Sequence, residues 1–121
     1  MQRNRVAFWN EDIDRRRIAL KNEVVVSIHF HTHDTSGNAV ASVLMAAASG
    51  VDIADAAISS MSGLTSQPNL NSIVAALEHT ERESKIKTEE IQEIANYWNA
   101  VRPVYKEFES DFMSSTAEIY H

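Results

Sequence analysis

The chain has 121 residues, enough for one small domain, and 44% of them are hydrophobic, enough for a core. Its formal net charge of −6 argues against nucleic acid or an anionic membrane as a partner. There is no cysteine, hence no disulfide framework and no thiolate ligand or nucleophile, and no apolar run reaches the ~18 residues of a membrane span.

Residues 1–23 hold six of the eleven Lys and Arg but only four of the seventeen acids. They read as a divergent basic segment, foreign to the rest of the chain. A short helix over 13–20, capped by Asn10, would place Arg15, Arg16 and Arg17 on a solvated side. The segment lacks the hydrophobic stretch of a secretory signal, and Glu11, Asp12 and Asp14 fit a mitochondrial presequence poorly. A cytoplasmic location is expected.

Residues 24–37, VVVSIHFHTHDTSG, are the most informative stretch. A strand over 24–32 puts His29 and His31 on one face, in the same alternate phase as His33 just past its end, and Val24, Val26, Ile28 and Phe30 on the other. This pattern predicts a strand buried on both faces, as in a parallel sheet. Buried imidazoles need partners, and a metal ion is a common one for neutral imidazoles on one face. A lone histidine on a strand is more often a hydrogen-bonded residue than a ligand. Three at alternate positions, followed by Asp34 and Gly37 at a strand end, point to a metal.

A helix is predicted over 39–49, with Val40, Val43, Leu44 and Ala47 in helical phase, Ser36 or Asn38 as N-cap and Gly50 just past its end. A second short strand comes next over 51–58, completing a βαβ unit with parallel strands. In it Asp52 reads as solvated, and Asp55 as a structural hydrogen-bond acceptor rather than a site residue. The polar loop 59–68 leaves the same sheet end as the histidines. A second helix runs from Asn69 or Asn71 to about Glu78, and His79 reads as exposed. Thr88 caps a third helix with Glu89 and Glu90 in its first turn. Ile91, Ile94, Ala95, Trp98 and Val101 form its buried stripe, with Tyr97 at the rim, and Pro103 stops or kinks it. Val104, Tyr105, Phe108 and Phe112 continue an amphipathic segment, and 114–121 is extended or loose. Two parallel strands do not make a stable sheet without neighbours, so the chain reads as a slice of a larger α/β domain.

Several separated blocks, HTHDTSGN (31–38), GVDIADAAISSMSGLTSQPNLNSIVAALEHTERE (50–83) and YWNAVRPVYKEFES (97–110), resemble the carboxyltransferase domain of the pyruvate carboxylases. SSTAEIYH (114–121) resembles the approach to that domain's next block. The decarboxylase α subunits and transcarboxylase 5S subunits share the His-x-His strand, but MSGLTSQPN and YW-x-x-VRP favour pyruvate carboxylase. The resemblance covers 23–121 and implies a partial (β/α)8 TIM barrel, with about two parallel strands and covering helices. Residues 24–121 would be the partial barrel domain.

The resemblance also implies a divalent metal, manganese or zinc, held by His31 and His33, with His29 a deeper structural histidine. The family's remaining ligands, an early-strand Asp and a carbamylated Lys, have no counterpart in the sequence. Nor do its pyruvate-binding arginine and proton-shuttling threonine, so no catalytic residue is assigned. Biotin would sit on another domain or subunit. The implied reaction is transfer of carbon dioxide from carboxybiotin to pyruvate, giving oxaloacetate. The expectation is a fragment inactive by itself that needs the rest of a barrel or a partner chain. The alternative is a non-catalytic fragment that completes a barrel in trans. A different metal-dependent lyase or synthase sharing His-x-His-Asp is a third reading, which the TSQP loop disfavours.

Overall fold

In the computed structural model, residues 23, 26–109 and 115–116 are described. The helix over 13–20 with its Asn10 cap, and the positions of Val24 and Phe112, lie outside them. The elements run β1 (His29–Phe30), α1 (Ala39–Ala48), β2 (Ile53–Ala54), a 3-10 turn (Ser59–Met61), α2 (Leu70–Leu77), α3 (Thr88–Val101) and a 3-10 segment (Arg102–Phe108).

The strands pair in parallel, with His29 opposite Ile53 and Phe30 opposite Ala54. This is the expected βαβ unit, but each strand is much shorter than 24–32 and 51–58. Neither is buried on both faces: Val26 is 67% and Ile53 49% exposed. A ladder is defined by its neighbours, and among the described residues each strand has one. Pairing resumes beyond β2 as an isolated parallel bridge between Ala57 and Asn69. There Ala57 N–H donates to Pro68 O at 2.9 Å, and Leu70 N–H donates to Ala57 O at 2.8 Å.

The core lies among the helices. Ala39, Val43, Ala46 and Ala47 of α1 are buried with Ile73 and Val74 of α2 and Ile91 and Ala95 of α3. Small residues let α1 approach α2, which in turn packs on α3. The predicted stripe of α3 is narrower than expected: Ile91 and Ala95 are buried, but Ile94 and Trp98 are exposed. Val104, Tyr105 and Phe108 are exposed as well.

Helix ends follow local chemistry. Asn38 occupies the N-cap of α1 without a side-chain bond. Asp34 takes that role instead, its Oδ1 accepting the Ala39 N–H at 2.9 Å. At the other end Gly50, with φ 83°, is the expected terminator. Its N–H donates to Ala47 O at 2.9 Å and that of Val51 to Ala46 O at 3.0 Å, a full Schellman motif. Asn69 caps α2 through the Ser72 N–H. In α3 Thr88 is the first helical residue and Lys87 the cap, with Glu89 and Glu90 in the first turn. The α-helix ends at Val101, and Pro103 sits at the start of the tighter 3-10 segment.

Asp52 is exposed, as expected, but its Oδ2 also accepts the Ile28 N–H at 2.8 Å, extending the strand contact by one bond. Arg102 joins three segments: its guanidinium donates to Ser60 O at 2.7 Å and to Glu109. That bond holds the Glu109 carboxyl below its ordinary value of 4.5.

Two outcomes are expected from these contacts. Gly50→Ala forces a Cβ into the left-handed region and lowers stability by about 1–2 kcal/mol, read from urea unfolding. Glu109 has a depressed folded value, so its contribution is full above its ordinary value and fades as pH falls below it. Between about pH 6 and about pH 3, Glu109→Gln therefore loses less stability than the parent chain, read from the same unfolding midpoints.

Candidate functional site

The three histidines stand where β1 ends, and the chain turns them to different partners. Across the parallel ladder, the residue two beyond Ile53 lies beside the residue two beyond His29. That places Asp55 next to His31. The Asp55 carboxylate bridges both rings, Oδ1 to His29 Nε2 at 2.7 Å and Oδ2 to His31 Nδ1 at 2.6 Å. His33 turns toward the loop after β2, its Nδ1 lying 2.6 Å from Thr65 O.

These contacts assign the tautomers. Hydrogen bonds from His31, then from His29, hold the Asp55 carboxyl below its ordinary value of 3.8, so it is an ionised acceptor. A main-chain carbonyl is also acceptor only. His31 and His33 therefore both donate from Nδ1, and each neutral ring keeps its lone pair on Nε2. Those two Nε2 atoms face each other at 3.2 Å, with the rings edge to face. His29 has the reverse arrangement, donating from Nε2 to Asp55.

Two lone pairs at 3.2 Å repel unless a proton or a metal ion lies between them. Two imidazoles on one metal, with bonds of about 2.0–2.1 Å, have nitrogens between about 2.9 and about 3.4 Å apart, depending on the bond angle. The His31–His33 pair fits that requirement, and the acceptors behind both rings are the kind that orient metal-ligating histidines. Among the described residues no group of three or more His, Asp or Glu converges to hold a metal. Asp34 is engaged with the α1 N-terminus, and its own N–H donates to Ser66 O at 2.8 Å.

Several expectations change here. The imidazoles are not buried: the His29 and His31 side chains are each 51% exposed. His29 is therefore not deeper than its neighbours, though it does stand apart from the facing pair. Asp55 is the hydrogen-bond acceptor it was read to be, but it serves the histidines directly. Its signal was its phase on the second strand. The Thr65 carbonyl is main chain and left no side-chain signal. His79 is exposed and distant in pattern, with φ 63°. Of the segment expected to be extended or loose, Ser115 and Thr116 are anchored: Ser115 Oγ accepts the Leu64 N–H at 3.0 Å, and Thr116 N–H donates to Thr35 O at 3.0 Å. Among the described residues no helix is long and apolar enough to cross a membrane.

A family model described as HMGL-like matches residues 10–97. The pyruvate carboxylase of Staphylococcus aureus is 48% identical over 101 residues, 84% of this chain and 9% of that protein. That of Bacillus subtilis is 43% identical over 102 residues, again 84% of this chain and 9% of its own length. Among solved structures, the carboxyl transferase domain of Rhizobium etli pyruvate carboxylase with pyruvate superposes with a TM-score of 0.87 at 46% identity. The same domain with oxamate and biotin gives the same values, and each covers 92% of this chain and 19% of the other. The two parallel strands and their helices are thus a part of a TIM barrel, as the sequence led one to expect.

Asp55→Ala removes the shared acceptor of His29 and His31 while leaving the Thr65 carbonyl in place. Imidazole nitrogen-15 spectra of that variant are expected to show mixed tautomers at His29 and His31 and an unchanged Nδ1–H tautomer at His33.

Proposed function

The chain belongs to the HMGL-like family, and from that premise we propose that it supplies the histidine half of a divalent metal site in a biotin-dependent carboxyltransferase. The substrate of that enzyme would be pyruvate, carboxylated to oxaloacetate with carboxybiotin as donor. The observation that carries this reading is the facing Nε2 pair of His31 and His33 at 3.2 Å, each ring backed by an acceptor at Nδ1. The relatives are pyruvate carboxylases, and a neighbouring structure holds pyruvate. Since the chain spans 9% of those relatives, the whole activity, its partners and a cytoplasmic location are part of the proposal.

In this reading His31 and His33 bind the metal, Asp55 and Thr65 orient them, and His29 buttresses Asp55. Imidazole donors suit zinc, and the family chemistry also admits manganese. The bound metal would supply Lewis-acid stabilisation of charge developing on the pyruvate oxygen. The other ligands, the proton relay and biotin would come from elsewhere in the complete enzyme, so the separate chain is inactive. The domain limits proposed are 24–121 for the barrel part and 1–23 for the divergent basic segment.

A second reading, a non-catalytic chain that completes a barrel in trans, is favoured by the exposure of Val26 and Ile53 at the sheet and of Phe108. It expects the chain to become more ordered when the rest of a barrel is added, with no gain in carboxylation.

Replacing both histidines, His31→Ala with His33→Ala, is expected to abolish bound zinc or manganese by elemental analysis and leave the circular dichroism spectrum unchanged. Metal retained in that variant would sink the assignment.

A further inference from the structure

His33 is held differently from His31. The outer nitrogen of His31 meets a side-chain carboxylate, whereas that of His33 meets the main-chain carbonyl of Thr65. The place of that carbonyl is set by the turn before it. Gly63 and Leu64 are consecutive residues with positive φ, 82° and 52°. Gly63 adopts this freely, but Leu64 carries a Cβ that disfavours it. Such a backbone persists where its surroundings over-determine it.

The surroundings include residues 115–116, remote in sequence. The Leu64 N–H donates to Ser115 Oγ at 3.0 Å. The next residue, Thr116, donates its N–H to Thr35 O at 3.0 Å, on the turn just past His33 and Asp34. Ser115 also lies against Gly37, where a Cβ would stand 3.3 Å from the Ser115 carbonyl oxygen. Residues 115–116 therefore tie together the two loops that carry His33 and its acceptor.

We infer that Ser115 is a positioning residue for His33: its hydroxyl pins the Leu64 amide, which sets the Thr65 carbonyl, which keeps the His33 lone pair on Nε2 facing His31. The consequence for metal affinity rests on the reading of His31 and His33 as ligands. The effect on the tautomer does not.

The test uses the full 121-residue chain, first without metal, at about pH 8.5, well above the ordinary imidazole value of about 6.5. Imidazole nitrogen-15 spectra of Ser115→Ala are expected to show His33 as a tautomer mixture while His31, held by Asp55, stays Nδ1–H. Adding Leu64→Gly removes the Cβ penalty, so the double variant regains the His33 tautomer. Zinc titration is expected to show an affinity loss of about tenfold in Ser115→Ala, recovered in the double variant. An unchanged His33 in Ser115→Ala, an equal change at His31 and His33, or a folded double variant with His33 still mixed would each overturn the role. Should Ser115→Ala not fold, Ser115→Cys is read instead, its thiol being a weaker acceptor for the Leu64 amide: a mixed His33 tautomer is expected, and an unchanged one overturns the role. If the tautomer follows Ser115 but zinc binds none of the chains, the positioning role stands and the metal reading falls.

Discussion

Two hydrogen bonds on the outer ring nitrogens govern this site. With Nδ1 of His31 on Asp55 and Nδ1 of His33 on the Thr65 carbonyl, neither imidazole can turn its proton inward without losing a strong acceptor. With both rings neutral, the inner nitrogens are left as two acceptors facing each other at 3.2 Å. The rest of the described structure serves this arrangement. The parallel pairing of β1 and β2 brings Asp55 alongside, and the loop after β2 brings the carbonyl.

The support is economical. Alanines along α1 let that helix pack on α2, and Val43 of α1 is among the most deeply buried side chains of the core. Asp34, directly after His33, spends its carboxylate on the first amide of α1, so the turn that ends the histidine run also starts that helix. Arg102 performs a similar service, linking the turn after β2 to the end of α3.

Much of this was legible in the residues. The period-two histidines, the helical phase of Val40, Val43, Leu44 and Ala47, and Gly50 as terminator each reflect a local rule that no tertiary contact had to supply. What escaped were features that depend on neighbours. Strand length is a property of pairing, so a strand-like run yielded, among the described residues, a two-residue ladder. Burial of Ile94 and Trp98 was inferred from an amphipathic face, but a face is buried only when something covers it. The bonds from Leu64 to Ser115 and from His33 to Thr65 link positions 51 and 32 residues apart, a separation that no window of sequence spans. The block likeness in 31–38 and 50–83 carried the family reading further than periodicity alone could have done.

The Schellman ending of α1 has an effect beyond the helix. By fixing the direction in which Val51 leaves Gly50, it sets the count of residues before β2 and therefore the phase of every later side chain on that strand. Side chains alternate along a strand, so one residue more or fewer at this corner would turn Asp55 to the opposite face and offer Ala54 or Ala56 to the imidazoles. The spacing of a helix end thus acts as a phase lock for the chemistry two turns of chain away, and insertions that loops elsewhere would tolerate would be silent in helix content here yet ruinous to the histidine pair.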